Sequence, residues 1–318
     1  MSKSLGNVID PVDIMEGITL EALNAKLKNG NLAPKEVERA TKSQRSAFAD
    51  GIDECGADAL RFSLVNYTTG GGDIAFDVKV MRSYRNFCNK IYQATKFVLG
   101  NLPADFQPKA DSGKTGVESL PERWILHKMN TCAKEINDAL GKREFSRSTQ
   151  AIHNYWLYEL CDVYIENSKS IINHGTPEER ASALNTLYTA LESALTMIHP
   201  FMPFLTEELW QRLPRRPSDE TRSIVVASYP QYDAKLDDSV SEAAYEIVLG
   251  CSKGVRSLLQ EYGIKENGKA FVQPLTEDAY ATASKEAASI KFLSGKYLSE
   301  LTVLKVCLLY TSPSPRDS

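Results

Sequence analysis

Metal chemistry and disulfide stapling have little to work with in this sequence. Its 318 residues hold four histidines, His127, His153, His174 and His199, all isolated from one another. The six cysteines (Cys55, Cys88, Cys132, Cys161, Cys251, Cys307) are equally scattered, and none forms a CxxC pair. This spacing excludes a zinc ribbon and a disulfide framework, and it leaves reduced thiols in a reducing compartment. No apolar run approaches the ~18 residues of a membrane span, and the first residues lack a charged-then-apolar leader. Net charge is −4, so the chain is no polycation. Any nucleic-acid contact has to come from a local basic face.

Apolar residues make up 42% of the chain, enough for ordinary cores in two or three domains. Residues 13–27 have the pattern of one helix ended by Asn29-Gly30-Asn31, and 34–45 that of a second, highly charged one. Gly70-Gly71-Gly72 lacks a following lysine at P-loop spacing and reads as a turn. A polar linker over 107–116 separates the next helices, expected over 121–140, 146–172 and 177–198. The last of these opens on Thr176-Pro177-Glu178-Glu179, a capping box with proline at its first position. Tyr155, Trp156, Tyr158 and Tyr164 recur at helical spacing, which favours core packing over base stacking. A short final helix is expected over 206–213. Helices joined by short loops, each with one apolar stripe, make an antiparallel bundle. Beyond Pro214 the pattern alternates: strand 224–227, linker 230–238, helix 240–262, strand 270–274, helix 277–293, strand 301–306. The fold expected is therefore mainly α. It comprises a connecting α/β segment over 1–78, a helical bundle over 79–230 and a small α+β unit over 238–306. Residues 307–318 have no fold logic and read as a non-native tail.

One helix carries a distinctive charge pattern. Over 79–102, Val80, Tyr84, Phe87, Ile91, Ala94 and Val98 share an inward face. The opposite face has Arg82, Arg85, Asn86, Asn89, Gln93 and Lys96, flanked by Lys79 and Lys90, and the segment has no acidic residue. A solvated helix normally mixes signs for i,i+4 pairing. A single-sign face interleaved with amides suits phosphate contacts and hydrogen bonds to unstacked bases. A merely solvated basic face is the competing reading.

Met1-Ser2-Lys3-Ser4-Leu5-Gly6-Asn7, continued by Val8-Ile9-Asp10-Pro11, resembles the KMSKS signature loop of the class I aminoacyl-tRNA synthetases. Expelling pyrophosphate from ATP builds negative charge on the β and γ phosphates. A lysine between two hydroxyls on a closing loop stabilises that charge. By analogy with an oxyanion donor, Lys3 would contribute about 3–4 kcal/mol to the transition state, with Ser2 and Ser4 holding the loop or donating to phosphate. Gly56-Ala57-Asp58-Ala59-Leu60-Arg61-Phe62 resembles the family's connecting segment downstream of that loop. The insert over 15–52, the block 84–97 beginning Tyr84-Arg85-Asn86-Phe87, and His199-Pro200-Phe201-Met202-Pro203-Phe204 are similar to its eukaryotic valyl members, the last block also to isoleucyl ones.

The resemblance implies ATP with magnesium as substrates, a helical anticodon-binding domain over 79–230, and tRNA (valine isoacceptors) as partner. Arg82, Arg85, Asn89, Lys90 and Lys96 are then the candidate tRNA contacts, and no resident metal or organic cofactor is implied. The family's H-x-G-H motif, nucleotide-binding fold and editing domain have no counterpart in the 318 residues. The expectation is therefore a chain lacking its N-terminal catalytic and editing domains, inactive alone, from a cytoplasmic enzyme. A targeting segment would sit on the missing part. An isoleucyl-type fragment, a self-standing RNA-binding module and a plain helical interaction module are the alternatives.

Overall fold

The computed structural model describes residues 9–29, 32–68, 77–109, 116–217 and 219–306. Ser2, Lys3, Ser4, the Gly70–Gly72 turn and the 307–318 tail lie outside the described residues.

The first expected helix is two. Asp10 caps α1 (Pro11–Glu16) by accepting from the Val12 N–H, and Pro11 fits its first position. The chain breaks at Gly17, φ +78°, where a Cβ would lie 2.8 Å from the Glu54 backbone nitrogen. That close approach admits only glycine, and it lets Ile18 and Ile52 pair in an antiparallel bridge. Thr19 then caps α2 (Leu20–Lys28), which packs on α3 (Pro34–Ala47). After Gly56, φ +81°, α4 (Ala57–Asn66) buries Ala59, Leu60 and Phe62.

The charged helix is α5 (Val78–Asn101). Phe87, Ile91, Ala94 and Val98 are buried as the spacing requires, Val80 and Tyr84 are half-buried, and Met81 joins the core. A capping box between Ser119 and Glu122 opens α6 (Leu120–Gly141). The next expected helix is one continuous rod with a widened middle. It runs from α7 (Phe145–Asn154) through a π-helical stretch, Tyr155–Ile165, into α8 (Glu166–His174). Tyr155, Trp156 and Tyr164 are buried and donate to the carbonyls of Ala190, Ala194 and Ala183 on α9 (Pro177–Ile198). The small alanines bring α9 within reach of these rings. Tyr158 faces solvent. Thr176 and Glu179 form the capping box expected for α9, which is the most enclosed helix of the bundle, and α10 (Pro203–Trp210) follows.

The expected strand over 224–227 is instead a 3-10 turn, Ile224–Val226. The Glu207 carboxylate accepts both the Ser223 hydroxyl and the Ile224 N–H, which removes that backbone from sheet pairing. Val225 and Val226 are left exposed.

Asp238 caps α11 (Ser239–Glu261). β1 (Gly268–Val272) and β2 (Leu298–Val303) pair in parallel, with an irregularity between Gly268 and Lys269. The helix between them breaks at Glu286 into α12 (Glu277–Lys285) and α13 (Ala287–Leu293). The break lets Ala283 and Ile290 both enter the core. The main apolar core runs from α4 and α5 through the bundle into Tyr245, Val248, Ala283 and Ile290 without interruption. A second cluster of Ile14, Cys55, Ala59, Leu60 and Met81 seats the connecting segment on α5.

Candidate nucleic-acid interface

The outer face of α5 is less purely basic than its own sequence, because neighbouring elements bring acids to it. Arg82 faces Asp53 at 3.7 Å. Arg85 donates to the Glu54 carbonyl and sits 3.6 Å from its carboxylate. Lys90 holds Asp162, from the π-helical stretch, at 2.6 Å. All six partners are substantially exposed, and exposed pairs of this kind are worth about 0–1 kcal/mol. An incoming phosphate can therefore take the acid's place at little cost.

Asn86, Asn89, Gln93 and Lys96 are exposed along the same face. The helix also presents Tyr92, 45% exposed, on this side. Its position three residues after Asn89 and four before Lys96 puts it off the apolar stripe, a register signal the sequence reading passed over. Arg212, which follows α10, pairs with Glu208. Arg215 stacks its guanidinium on Trp210 with 3.5 Å to the ring centroid. The outer face of α5 thus offers amides, an aromatic ring and Lys96, and α10 packs beside the same helix. Between Lys90, Gln93 and Phe97 on one side and Asp162 and Lys169 on the other lies a shallow cavity of about 280 Å³.

A second set of contacts joins two sequence blocks far apart in the chain. Asp58, nearly buried at the start of α4, accepts the Leu205 N–H at 2.6 Å and the Phe204 N–H at 3.3 Å. It thereby caps α10 from another element. Burial pushes its carboxyl above the usual range, partly opposed by the two N–H donors and by Arg61. Arg61 donates to the Pro200 carbonyl. His199 Nδ1 lies 2.7 Å from the Thr206 hydroxyl, whose proton goes to the Met202 carbonyl. Nδ1 must then carry the proton that Thr206 accepts, and burial favours this neutral ring by lowering its pKa.

A polar network fixes α11 to α6. Lys128 donates to Glu242 at 2.6 Å and lies 3.6 Å from Glu159, and the Asp238 N–H donates to His127 Nδ1. Burial raises the Glu159 carboxyl, while the Lys128 hydrogen bond lowers Glu242. Among the described residues no group of three or more His, Cys, Asp or Glu is placed to hold a metal ion.

Two family models match the chain. Residues 1–77 match the class I tRNA synthetases (I, L, M and V), and residues 122–273 match the anticodon-binding domain of tRNA ligase. A mitochondrial valine–tRNA ligase of Saccharomyces cerevisiae is 52% identical over 96% of this chain and 27% of its own length. The valine–tRNA ligases of Schizosaccharomyces pombe and Homo sapiens are 48% and 42% identical over 93% and 92% of the chain. The chain belongs to the valine–tRNA ligase family. It spans 30% and 23% of the length of those last two relatives. The LeuRS–tRNA–LeuAMS ternary complex of Agrobacterium radiobacter K84 aligns with 82% of this chain and 30% of that chain at a TM-score of 0.41 and 16% identity, a likeness that carries no argument. In this family frame, Asp58 and Arg61 stitch the synthetase-matched segment to the anticodon-binding-domain segment. Helix α5 lies between the two matches.

Proposed function

We propose that this chain is the tRNA-binding part of a valine–tRNA ligase, an enzyme that activates valine with ATP and magnesium and transfers it to its tRNA. The outer face of α5 carries the reading. It sets Arg82, Arg85, Lys90 and Lys96 beside amides and an exposed ring, the chemistry that suits phosphates plus unstacked bases. Asn89, with Asn86 and Gln93, would lie nearer the bases. Lys3, with Ser2 and Ser4, belongs to the proposal as the ATP-phosphate loop of the whole enzyme. The domain limits near 78 and 230–238 and a cytoplasmic setting belong to it as well, and imaging of the tagged full-length enzyme tests the setting.

Titration of the chain with tRNA at several salt concentrations is the direct test. Substituting Arg85→Ala and Lys90→Ala together should weaken binding and flatten the salt slope by up to about two phosphate contacts. An unchanged slope would return the face to a solvated surface. The chain alone is expected to show no valine-dependent ATP–pyrophosphate exchange, and measurable exchange would overturn that part.

A further inference from the structure

The C-terminal unit has a cavity of about 480 Å³ that shares no residue with the α5 face. Its floor is Leu259 and Ile264, and its wall is the turn that leads into β2 through Tyr297. Three cations reach it from three stretches of backbone: Arg256 on α11, Lys265 after it, and Lys296 before β2. No acidic side chain lines the cavity, and none of the three cations has a carboxylate partner among the described residues.

The cavity's shape is fixed by backbone. Gly263, φ +63°, turns the chain out of α11, where the Ile264 N–H returns to the Leu259 carbonyl at 2.8 Å. Gly295, φ +97°, turns the chain between α13 and β2. The Gly268 N–H donates to the Tyr297 carbonyl at 2.8 Å, and a Cβ there would meet Leu259 at 2.7 Å. Tyr297 is 41% exposed, and Lys296 Nζ sits 5.2 Å from its ring centroid.

We propose that this cavity is a second RNA-contact site, taking one unstacked nucleotide of a single-stranded segment. The base lies against Tyr297 and the Leu259–Ile264 floor, and the flanking phosphates meet Arg256, Lys265 and Lys296. The volume falls in the ~300–1,000 Å³ range of small-ligand pockets. An acidic peptide would satisfy the cations but leave the apolar floor and ring unused. A nucleotide uses both. The inference rests on the RNA reading of the α5 face.

The test uses the 318-residue chain and a fluorescein-labelled single-stranded oligoribonucleotide, followed by anisotropy across a salt series. The triple variant Arg256→Ala, Lys265→Ala, Lys296→Ala should lose roughly tenfold in affinity at moderate salt and about 2 in salt slope, since each single-strand phosphate contact contributes about 0.7. Tyr297→Leu should weaken binding at least about fivefold, the low end of one base-stacking contact, without changing the slope. A thiouridine-containing oligonucleotide should cross-link to the peptide containing Tyr297 in the unmodified chain, which reads the site without any substitution. Lys96→Ala, on the other face, separates the two readings. If it weakens binding while the triple variant and the cross-link show nothing, this site is refuted and the α5 face stands. If the unmodified chain does not bind the oligonucleotide, this site is refuted, and the α5 face stands or falls on the tRNA titration. Competition by poly-glutamate at equal charge as strong as by RNA would make the site a general anion pocket and refute the inference.

Discussion

Replacing Asp58 by alanine tests the joint between the connecting segment and the bundle. The carboxylate gives the first turn of α10 two acceptor contacts, one short to Leu205 and one long to Phe204. A hydrogen bond to a charged group contributes about 1.5–3 kcal/mol, and loss of an N-cap costs about 0.5–2 kcal/mol. Burial offsets part of this, because the ionised carboxylate is held in a site that raises its pKa. The expected loss is therefore about 2 kcal/mol for Asp58→Ala, at the upper end of ordinary cap loss. Asp58→Asn, which keeps one acceptor oxygen, should lose about half of that. Urea unfolding at neutral pH, followed by circular dichroism and by the combined fluorescence of Trp124, Trp156 and Trp210, measures both. A midpoint for Asp58→Ala equivalent to less than about 0.5 kcal/mol, the range of an ordinary surface substitution, would refute the capping role.

A pH series adds a sign. Since the folded pKa is raised, the folded state binds the proton first. Wild-type stability relative to Asp58→Asn should then rise as pH falls from that raised value towards the ordinary carboxylate value. The opposite slope would mean that the N–H donors outweigh burial.

Three further outcomes are expected. Glu122 is almost fully buried and accepts from the Ser119 N–H, Ser182 and Thr186, so Glu122→Ala should cost about 3 kcal/mol and Glu122→Gln about half as much in the same denaturant assay. The Lys128 hydrogen bond holds Glu242 below the usual carboxylate range, so the stability it contributes is present above the ordinary value and lost as pH falls through the lower folded one; a Glu242→Gln variant with an unchanged acid limb would refute this. Burial pushes the Cys88 thiol up to about 12, so Cys88 should resist thiol reagents in the native chain at neutral pH, and rapid labelling mapped to Cys88 would contradict the packing against Met202.

The legible parts of the fold were those set by neighbours in sequence. The Thr176–Glu179 box and the apolar spacing of α5 needed only contacts within one turn or one helix face, and both hold in three dimensions. The breaks were harder to read. Gly17 ends a helix because Glu54 comes within contact of it, and Ile224–Val226 leaves the strand conformation because Glu207 takes its N–H. Both causes sit well away in the sequence. The candidate face divides in the same way. Helical register placed Arg82, Arg85, Asn89 and Lys96 outward and would equally have placed Tyr92 among them. The charge balance of that face was beyond any local pattern, because Asp53, Glu54 and Asp162 arrive from other elements.

The sequence by itself determined the family, through long blocks of matched residues, and the amphipathic helices, through their period. Only the tertiary structure decided which charges stay available to a partner and how the two family-matched segments are joined. A carboxylate such as Asp58 or Asp162 carries no mark in sequence of which N–H or ammonium it will meet. That choice is made by packing, which brings α4 onto α10 and the π-helical stretch onto α5.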